Sequence, residues 1–290
     1  MSFELKKEIS SKEIAMELAL EHYGKDIKIK YLSSFDNVVD SSILFVKKYN
    51  SLDIDNCCVI APFIDDKSRY TTILSKNPRM DFIKALNLIN SKVGFIKDET
   101  PPKITSTAII AKDVTIENGC IIGKNTVIEP RVVILNGTKI GDNCLIRAGA
   151  IIGSDGFGFE RDEDGTPIKF IHLGSVIIGD NVEIGANSCI ARGTLSDTKI
   201  DSFSKIDNLV HIAHNCHIKS GALITACAEL SGGVIVEKNS WIGPNVSVIQ
   251  KVKLGENSLL GIGTVVLKDV TKNSIIVGNP GKKIKRIKNE

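Results

Sequence analysis

An isoleucine recurs at every sixth position of the chain from Ile104 to Ile152, nine times without a miss. The period returns from Ile178 to Ile190, shifts by four residues, and continues with aliphatic residues from Ile200 to Val266. A period of six is neither the 3.6-residue repeat of an α-helix nor the two-residue alternation of a strand. It fits short strands joined by tight turns, with one large side chain per strand pointing inward. Three such strands close one coil, and the hexads predict a parallel β-helix of about eight stacked coils.

The first hundred residues do not show this period, and they predict a small α/β domain at 1–100. A capping box at Ser10 and Glu13 begins a helix that is expected to end at Gly24, and a second helix is expected to begin at Pro78. The segment CCVIAP between them is typical of a buried strand. The fold class is therefore mainly β, with an α/β domain in front of the β-helix.

A charged segment with two prolines, residues 97–103, joins the two predicted domains. The β-helix is expected to span 101–278, with a basic tail at 279–290. An insertion at 153–177 interrupts it and contains Phe157, Phe159 and Phe170. It is either a tolerated surface loop or a segment that packs on another surface, for which we expect a neighbouring subunit of a homotrimer.

The composition excludes some classes of function. The chain has 37 basic and 34 acidic residues, a balance that does not suit a general nucleic-acid or membrane binder. Seven scattered cysteines form no CxxC pair and predict reduced thiols. No apolar run approaches 18 residues and no signal peptide is apparent, so we expect a cytoplasmic protein without a membrane span.

Three of the five histidines, His211, His214 and His217, lie within seven residues. His211 and His217 each precede an inward isoleucine of successive hexads, so they are expected on different faces of the coil. They cannot then bind one ion, and no metal site is expected. His214 lies midway between those isoleucines and is expected to face outward, either as an incidental surface residue or as a chemical group.

Three stretches carry a specific resemblance: GSDGFGF, HLGSVIIGDNVEIGANSCIARGTLSDTKI and KIDNLVHIAHNCHI. The six-residue unit resembles that of hexapeptide-repeat proteins, which implies a left-handed coil. The three stretches resemble the lipid A N-acyltransferases, which transfer a hydroxyacyl chain from acyl carrier protein to the 2-amine of UDP-3-O-acylglucosamine. This resemblance extends through about residue 233. It implies that His214 of the IAHN motif is the catalytic histidine, and that Phe45, Lys48 and Tyr49 bind the nucleotide base.

The chemistry of amide formation agrees with that implication. An amine attacks a thioester only as the free base, and histidine, with an ordinary pKa of about 6.5, can take the proton and contribute about 10²–10⁴-fold. The oxyanion of the tetrahedral intermediate needs an N–H donor. Gly232, 18 residues after His214 and so one coil on, is predicted to supply it. Asp207 and Asn208 are predicted to orient the sugar or the imidazole.

The C-terminal third departs from those enzymes, with Lys251 in place of a second histidine. The ending, GNPGK at 278–282, resembles the cap of acetyl-CoA-dependent hexapeptide acetyltransferases. We therefore expect a short acyl-CoA, most simply acetyl-CoA, as donor, with no permanently bound cofactor. Its phosphates would meet Lys251, Lys282 and Lys283, although a solvated lysine-rich end is an equal alternative.

Three functions follow from the sequence. The first is an N-acyltransferase that acts with acetyl-CoA on a UDP- or dTDP-linked amino sugar. The second is the lipid A UDP-3-O-acylglucosamine N-acyltransferase, which uses a hydroxyacyl carrier protein. The third is a noncatalytic β-helix that only binds a nucleotide sugar and needs no base at His214.

Overall fold

The computed structural model describes residues 1–48, 55–64 and 69–286. For Arg286 it describes the backbone alone. The chain divides into two compact units. The first contains Met1–Lys97 together with Gly158–Leu173, and the second contains Asp98–Phe157 and Gly174–Glu290. The sequence predicted a division near residue 100, with the whole insertion in the second unit; in the structure most of the insertion belongs to the first unit.

The first unit is built on one six-stranded sheet. Four central strands run parallel, and the two outer strands run antiparallel to their neighbours, in the order β1-β3-β4-β5-β6-β2. The elements are β1 (Ser2–Ser10), α1 (Ser11–Glu17), β2 (Glu21–Tyr23), β3 (Lys28–Ser33), a 3₁₀ turn (Phe35–Asn37), β4 (Ser42–Phe45), β5 (Asp55–Ala61), β6 (Arg69–Leu74) and α2 (Pro78–Lys92).

The helix ends show where local signals hold and where they fail. The Ser10 side chain accepts a hydrogen bond from the Glu13 amide, as the capping box predicts, and α2 begins at Pro78 behind its N-cap Asn77. The prediction that the first helix continues to Gly24 is wrong. It ends at Glu17, because the chain turns at Ala19 with a positive φ of 52° and then pairs with β6 as strand β2.

The second unit is a solenoid of short parallel strands. Its strands are β7 (Lys103–Ile104), β8 (Ile109–Ile110), β9 (Thr115–Ile116), β10 (Ile121–Ile122), β11 (Val127–Ile128), β12 (Val133–Ile134), β13 (Lys139–Ile140), β14 (Leu145–Ile146), β15 (Ile151–Ser154), then, after the hairpin β16 (Phe159–Arg161) and β17 (Pro167–Lys169), β18 (Val176–Ile178), β19 (Glu183–Ile184), β20 (Cys189–Ala191), β21 (Thr198–Ile200), β22 (Lys205–Ile206), β23 (His211–Ile212), β24 (His217–Ile218), β25 (Leu223–Ile224), β26 (Glu229–Leu230), β27 (Ile235–Val236), β28 (Trp241–Ile242), β29 (Ser247–Val248), β30 (Lys253–Leu254), β31 (Leu259–Leu260), β32 (Val265–Val266), β33 (Ser274–Val277) and β34 (Lys282–Arg286).

The solenoid strands form three faces. The first face runs from β7 to β30, the second from β8 to β34, and the third from β9 to β32, with eight, ten and eight strands respectively. Each coil adds one strand to each face, so the described strands form eight complete coils and a partial ninth. From Ile122 onward the inward residues of the hexads, such as Ile122 and Ile212, are buried and form one continuous core, whereas Ile104 in the first coil is 43% exposed. The fold class predicted from the period is confirmed.

The insertion does not pack as the sequence suggested. Its antiparallel hairpin, β16 and β17, lies against α2 within the first unit. Arg79 Nε on α2 is 2.6 Å from Glu160 Oε2, and the ring centroids of Phe82 and Phe170 are 6.3 Å apart. The expectation that Phe170 packs on a neighbouring subunit is therefore wrong, because the chain's own helix covers this ring.

The C-terminal segment is likewise not a plain tail. Residues predicted as a basic tail at 279–290 include β34, which runs antiparallel to β33 at the end of the second face. Lys282 lies opposite Val277, and Lys283 lies opposite Ile276. Backbone pairing with the last strand therefore orders this segment as far as 286. Among the described residues, no helix is long and apolar enough to cross a membrane.

Candidate active site

The candidate site lies at the corner where the third face passes into the first. After β23, the chain turns at His214 and Asn215 and enters β24. Because β23 pairs with β26, and β26 pairs with β29, residues 18 apart stack along this corner. Gly232 is therefore directly above His214 in the next coil, and Gln250 follows one coil farther. We call this row the His214 corner.

Gly232 lies in close contact with the imidazole of His214. A Cβ atom at position 232 would be only 2.7 Å from both Cε1 and Nε2 of the ring. The backbone around the glycine is fixed, since the Gly233 amide donates to the His214 carbonyl (2.8 Å) and the Lys251 amide donates to the Gly232 carbonyl (2.9 Å). Only glycine therefore leaves room for the ring in this position.

The amides at this turn position of the hexads fall into two groups. Those of Ala226, Ala148 and Asn136 each donate to a carboxylate of a neighbouring coil. Those of Ser220, Lys238 and Gly232 have no hydrogen-bond acceptor within the described part of the chain, and of these three Gly232 is the one that lies against the imidazole of His214. Its amide is therefore an N–H next to the imidazole that can receive an oxyanion.

Asn215 fixes the chemical form of the histidine. Its Oδ1 is 2.8 Å from His214 Nδ1 and also accepts the backbone N–H of Thr194 at 3.1 Å, while its Nδ2 donates to the Ser196 carbonyl at 3.2 Å. A backbone N–H can only donate, so the atom that faces Nδ1 must be the amide oxygen. Nδ1 therefore carries the proton, and Nε2, next to Gly232, holds a lone pair that can accept one.

Sequence reasoning missed this role of Asn215. The residue has a positive φ of 61°, as do asparagines at the second turn position elsewhere in the solenoid, including Asn143, Asn187 and Asn239. Asparagine tolerates that conformation better than most residues do, so it is expected there for backbone reasons alone. Its place directly after His214 was the only signal in the sequence.

The other two histidines of the cluster lie elsewhere. His211 is exposed on the third face, between Cys189 and Glu229 of the neighbouring strands, whereas His217 is on the first face. His217 Nε2 is 2.9 Å from Asp201 Oδ1. No group of three or more His, Cys, Asp or Glu side chains is arranged for a metal ion among the described residues.

Asp207 and Asn208 lie at the previous corner, between β22 and β23, and not at the His214 corner. Asp207 Oδ2 accepts the Ala226 amide at 3.1 Å, and Asn208 Oδ1 accepts the Ala186 amide at 2.7 Å. Both side chains therefore tie successive coils together. Within one chain they do not orient the imidazole as expected, because Asn215 occupies its Nδ1; contact with a sugar stays a prediction.

Cys216 follows the His214–Asn215 turn, but its thiol is buried in the solenoid core. Burial raises the pKa of Cys216 to about 12. The thiol therefore stays protonated near neutral pH and cannot serve as a nucleophile. All seven cysteines are free thiols.

The predicted base-binding residues lie in the first unit. Phe45 and Lys48 line one cavity of about 370 Å³ together with Phe35, Val46 and Lys47. Phe35 is 47% exposed and was not predicted from the sequence. The ring of Phe45 is also 4.9 Å from that of Phe82, so it contributes to packing as well. Tyr49 lies outside the described residues.

The lysines predicted to contact the donor are on two different elements. Lys251 takes the second turn position of the His214 corner, two coils after Asn215, with a φ of 63°. Lys282 and Lys283 are on β34 at the end of the second face, where Lys283 Nζ donates to Thr271 Oγ1 at 3.3 Å. Donor binding by any of the three stays a prediction.

Comparison with known proteins agrees with the repeat. The family model of bacterial transferase hexapeptides matches residues 119–154, and that of the hexapeptide repeat of succinyl-transferase matches 175–195 and 233–268. UDP-3-O-acylglucosamine N-acyltransferase of Coxiella burnetii is 31% identical over 292 residues, which covers 90% of this chain and 85% of the relative. The chain belongs to the UDP-3-O-acylglucosamine N-acyltransferase family.

Other members of the UDP-3-O-acylglucosamine N-acyltransferase family match over a shorter region. The relative from Delftia acidovorans is 37% identical over 45% of this chain. The relative from Herminiimonas arsenicoxydans is 37% identical over 54% of this chain. The chain spans about two fifths of the length of these two relatives, 39% in each case.

Solved structures extend the comparison of this family member to its fold. LpxA of Acinetobacter baumannii is 26% identical and superimposes with a TM-score of 0.52 over 64% of this chain and 72% of its own. UDP-N-acetylglucosamine acyltransferase of Campylobacter jejuni, at 23% identity and a TM-score of 0.53 over 63% of this chain and 75% of its own, shares the fold.

Proposed function

We propose that the chain is an N-acyltransferase that moves a hydroxyacyl group from a carrier-protein thioester to the amine of a UDP-linked acylglucosamine. The observation that carries this proposal is the pair formed by His214 and Gly232. An imidazole with its lone pair on Nε2 lies against the Gly232 N–H, which has no hydrogen-bond acceptor among the described residues. A base and an oxyanion donor are the two groups that acyl transfer needs. The names of the relatives supply the substrate class.

The reaction follows from this arrangement. The amine nitrogen attacks the thioester carbonyl, and His214 Nε2 takes the proton that the nitrogen releases as the C–N bond forms. The Gly232 N–H donates to the oxyanion of the tetrahedral intermediate. When the intermediate collapses, the C–S bond breaks, and the imidazolium returns its proton to the departing thiolate. An amide and a free thiol result, and the histidine regains its starting form.

The acceptor would be held by its base in the first unit. Phe35 and Phe45 offer flat apolar surfaces to one cavity, and Lys47 and Lys48 add positive charge beside them. An aromatic ring that faces a base contributes stacking, and a lysine beside it can meet a diphosphate. This combination supports a nucleoside diphosphate as the part of the acceptor that the cavity binds.

The His214 corner supports a long acyl donor over the short one expected from the sequence. Beyond Ser231, the row beside Gly232 continues with Ile249 and Leu267, which are 45% and 53% exposed. They are neighbours on adjacent coils, since the Ile249 amide donates to the Val266 carbonyl. Two stacked, exposed aliphatic side chains offer an apolar track for an acyl chain. The family relationship favours the same donor, so we replace acetyl-CoA with a hydroxyacyl carrier protein.

A homotrimer is the assembly that we propose for this activity. Leu223, Trp241 and Leu259 lie in register on three neighbouring strands of the second face and point outward. Trp241 is 50% exposed, and an aromatic residue within an apolar row is typical of a contact between subunits. Light scattering at micromolar concentration tests it; a monomer would contradict it.

A thiol-release assay separates the three functions. Acetyl-CoA and hydroxyacyl carrier proteins of several chain lengths are each offered with UDP-3-O-acylglucosamine and with UDP- and dTDP-linked amino sugars. We expect saturable thiol release only with the hydroxyacyl carrier protein and the UDP-linked acylglucosamine. Efficient turnover of acetyl-CoA would restore the first function, and binding of the nucleotide sugar without thiol release from any donor would support the noncatalytic one.

A further inference from the structure

The four-residue shift in the repeat lies next to the candidate base. Between the inward residues Ile190 and Ile200, the chain makes a loop at 193–197 where a plain corner would suffice. Strands β20 and β21, which flank this loop, pair with β23 and β24, which flank His214 and Asn215. The loop therefore forms the layer directly below the candidate catalytic turn.

The loop holds the Asn215 amide from both ends. On the oxygen side, Thr194 donates its backbone N–H (3.1 Å) and its Oγ1 hydroxyl (3.0 Å) to Oδ1. On the nitrogen side, Nδ2 donates to the Ser196 carbonyl (3.2 Å) and to Ser196 Oγ (2.8 Å). The Thr194 N–H can only donate and the Ser196 carbonyl can only accept, so a reversed amide would lose both backbone contacts, whereas the two hydroxyls could serve either orientation.

The loop is rigid enough to impose this orientation. A Cβ atom on Gly193 would be 1.5 Å from the Ser196 carbonyl oxygen and 2.9 Å from Asn215 Nδ2, so the chain folds back on itself without room for a side chain. From the coil below, the Gly174 amide donates to the carbonyls of both Gly193 and Thr194, each at 3.0 Å. The contacts to Asn215 therefore come from a braced segment.

The amide orientation decides which nitrogen of His214 is basic. With Oδ1 toward the ring, Nδ1 must carry the proton and Nε2 is the acceptor. With the amide reversed, Nδ2 would donate to Nδ1, the proton would move to Nε2, and the nitrogen beside Gly232 could no longer take a proton from an amine.

We propose that Thr194 and Ser196 are positioning residues for the base: by fixing the Asn215 amide, they hold His214 in the form with the proton on Nδ1. The proposal rests on His214 as the base of the proposed function. It assigns a role to the loop at 193–197, which the hexapeptide repeat itself does not require.

The test reads the imidazole directly and does not depend on a substrate. The protein is labelled with ¹⁵N-histidine, and the ¹⁵N resonances of His214 are assigned by comparison with His214→Gln. In the unsubstituted protein we expect a protonated, pyrrole-type Nδ1 and a pyridine-type Nε2. In Gly193→Ala, whose Cβ would be 1.5 Å from the Ser196 carbonyl oxygen and would displace it from Asn215 Nδ2, we expect a mixture of tautomers and a kcat about tenfold lower with KM unchanged.

Two further variants separate positioning from stability. Gly263→Ala strains the backbone at another corner, where φ is 64° and nothing lies within 4 Å of a Cβ atom, and it should leave tautomer and kcat unchanged. Adding Asn215→Asp to Gly193→Ala should restore the Nδ1–H form, because either carboxylate oxygen can accept from Nδ1.

An unchanged tautomer in Gly193→Ala would overturn the proposal, as would a lower kcat that follows melting temperature alone. If Gly193→Ala does not fold, Gly174→Ala, whose Cβ would be 2.3 Å from the same Ser196 carbonyl oxygen, gives the same spectroscopic answer. Should the protein transfer no acyl group at all, the resonances still decide the proposal, so its failure and that of the proposed function are distinguishable.

Discussion

Gly232 and His214 are packed so closely that a single methyl group at position 232 would overlap the imidazole, with Cβ 2.7 Å from both Cε1 and Nε2. We expect Gly232→Ala to displace the ring and to lower kcat at least tenfold. Thermal unfolding should change little, because the ring faces outward and can move.

Gly263→Ala is the matched control for that substitution. Gly263 is also a turn residue, but it has a positive φ of 64° and nothing lies within 4 Å of a Cβ atom there. We expect a loss of about 1–2 kcal/mol in the free energy of unfolding and normal kcat. If the two variants lost activity in proportion to their stability, the contact between Gly232 and the ring would have no catalytic meaning.

His214→Ala should abolish most turnover while the fold persists. We expect kcat to fall about 10²–10⁴-fold with a far smaller change in KM, since the imidazole acts on a proton that moves in the transition state. His211→Ala and His217→Ala are the controls. His211 is exposed on another face, and His217 forms only a partly exposed pair with Asp201, so each should stay within about threefold of the unsubstituted kcat. Equal losses in all three variants would exclude a single base.

Phe35→Ala should weaken binding of the nucleotide sugar selectively. Phe35 lines the cavity in the first unit and is half exposed, so its loss should raise KM for the acceptor about tenfold without lowering the melting temperature. Phe45→Ala should raise the same KM but also destabilise the unit, because its ring packs on Phe82. Tyr49→Ala is expected to resemble Phe35→Ala. A raised KM for the acyl donor instead would assign the cavity to the donor.

Ile249→Ser and Leu267→Ser should raise KM for long hydroxyacyl donors and leave KM for the acceptor unchanged. Each removes an exposed aliphatic side chain from the row beside the His214 corner, where the acyl chain is proposed to lie. Ile262→Ser, which changes an even more exposed aliphatic residue at the corner between the second and third faces, is the control. An equal effect of Ile262→Ser would argue against the track.

Thiol labelling tests the burial of the residue beside the candidate catalytic turn. Because burial raises the pKa of Cys216 to about 12, its reactive thiolate is scarce at pH 8, whereas Cys227 is exposed. Iodoacetamide should modify Cys227 first in the native protein and leave Cys216 intact until unfolding. Mass spectrometry of peptides gives the order, and Cys227→Ser should remove the fast reaction. Early modification of Cys216 would contradict the burial.

The hexapeptide period was sufficient to predict the solenoid, because each inward isoleucine makes the same contact in successive coils. It was also sufficient to predict that His214 and Gly232 share a corner, since residues 18 apart stack there. Features that depend on contacts distant in sequence were not predictable. Phe35 lines the cavity only because the chain turns between β3 and β4. The insertion packs on α2 through the contact between Glu160 and Arg79, which are 81 residues apart in the sequence.

Asn215 shows a different limit of sequence analysis. An asparagine at this turn position has a backbone role at several other corners, so its pattern does not distinguish it from them. Its amide is held by the loop at 193–197, which appears in the sequence only as a shift in the repeat. A departure from a period indicates where to look, but the contacts it makes require coordinates.

The most direct test of the account is the mass of the acceptor after reaction. UDP-3-O-acylglucosamine is incubated with hydroxyacyl carrier protein and either the unsubstituted protein or His214→Ala, and the sugar is analysed by tandem mass spectrometry. The account predicts the gain of one hydroxyacyl group on the amine nitrogen with the unsubstituted protein and almost none with His214→Ala in the same time. Transfer to a hydroxyl group, or equal transfer by both proteins, would contradict it.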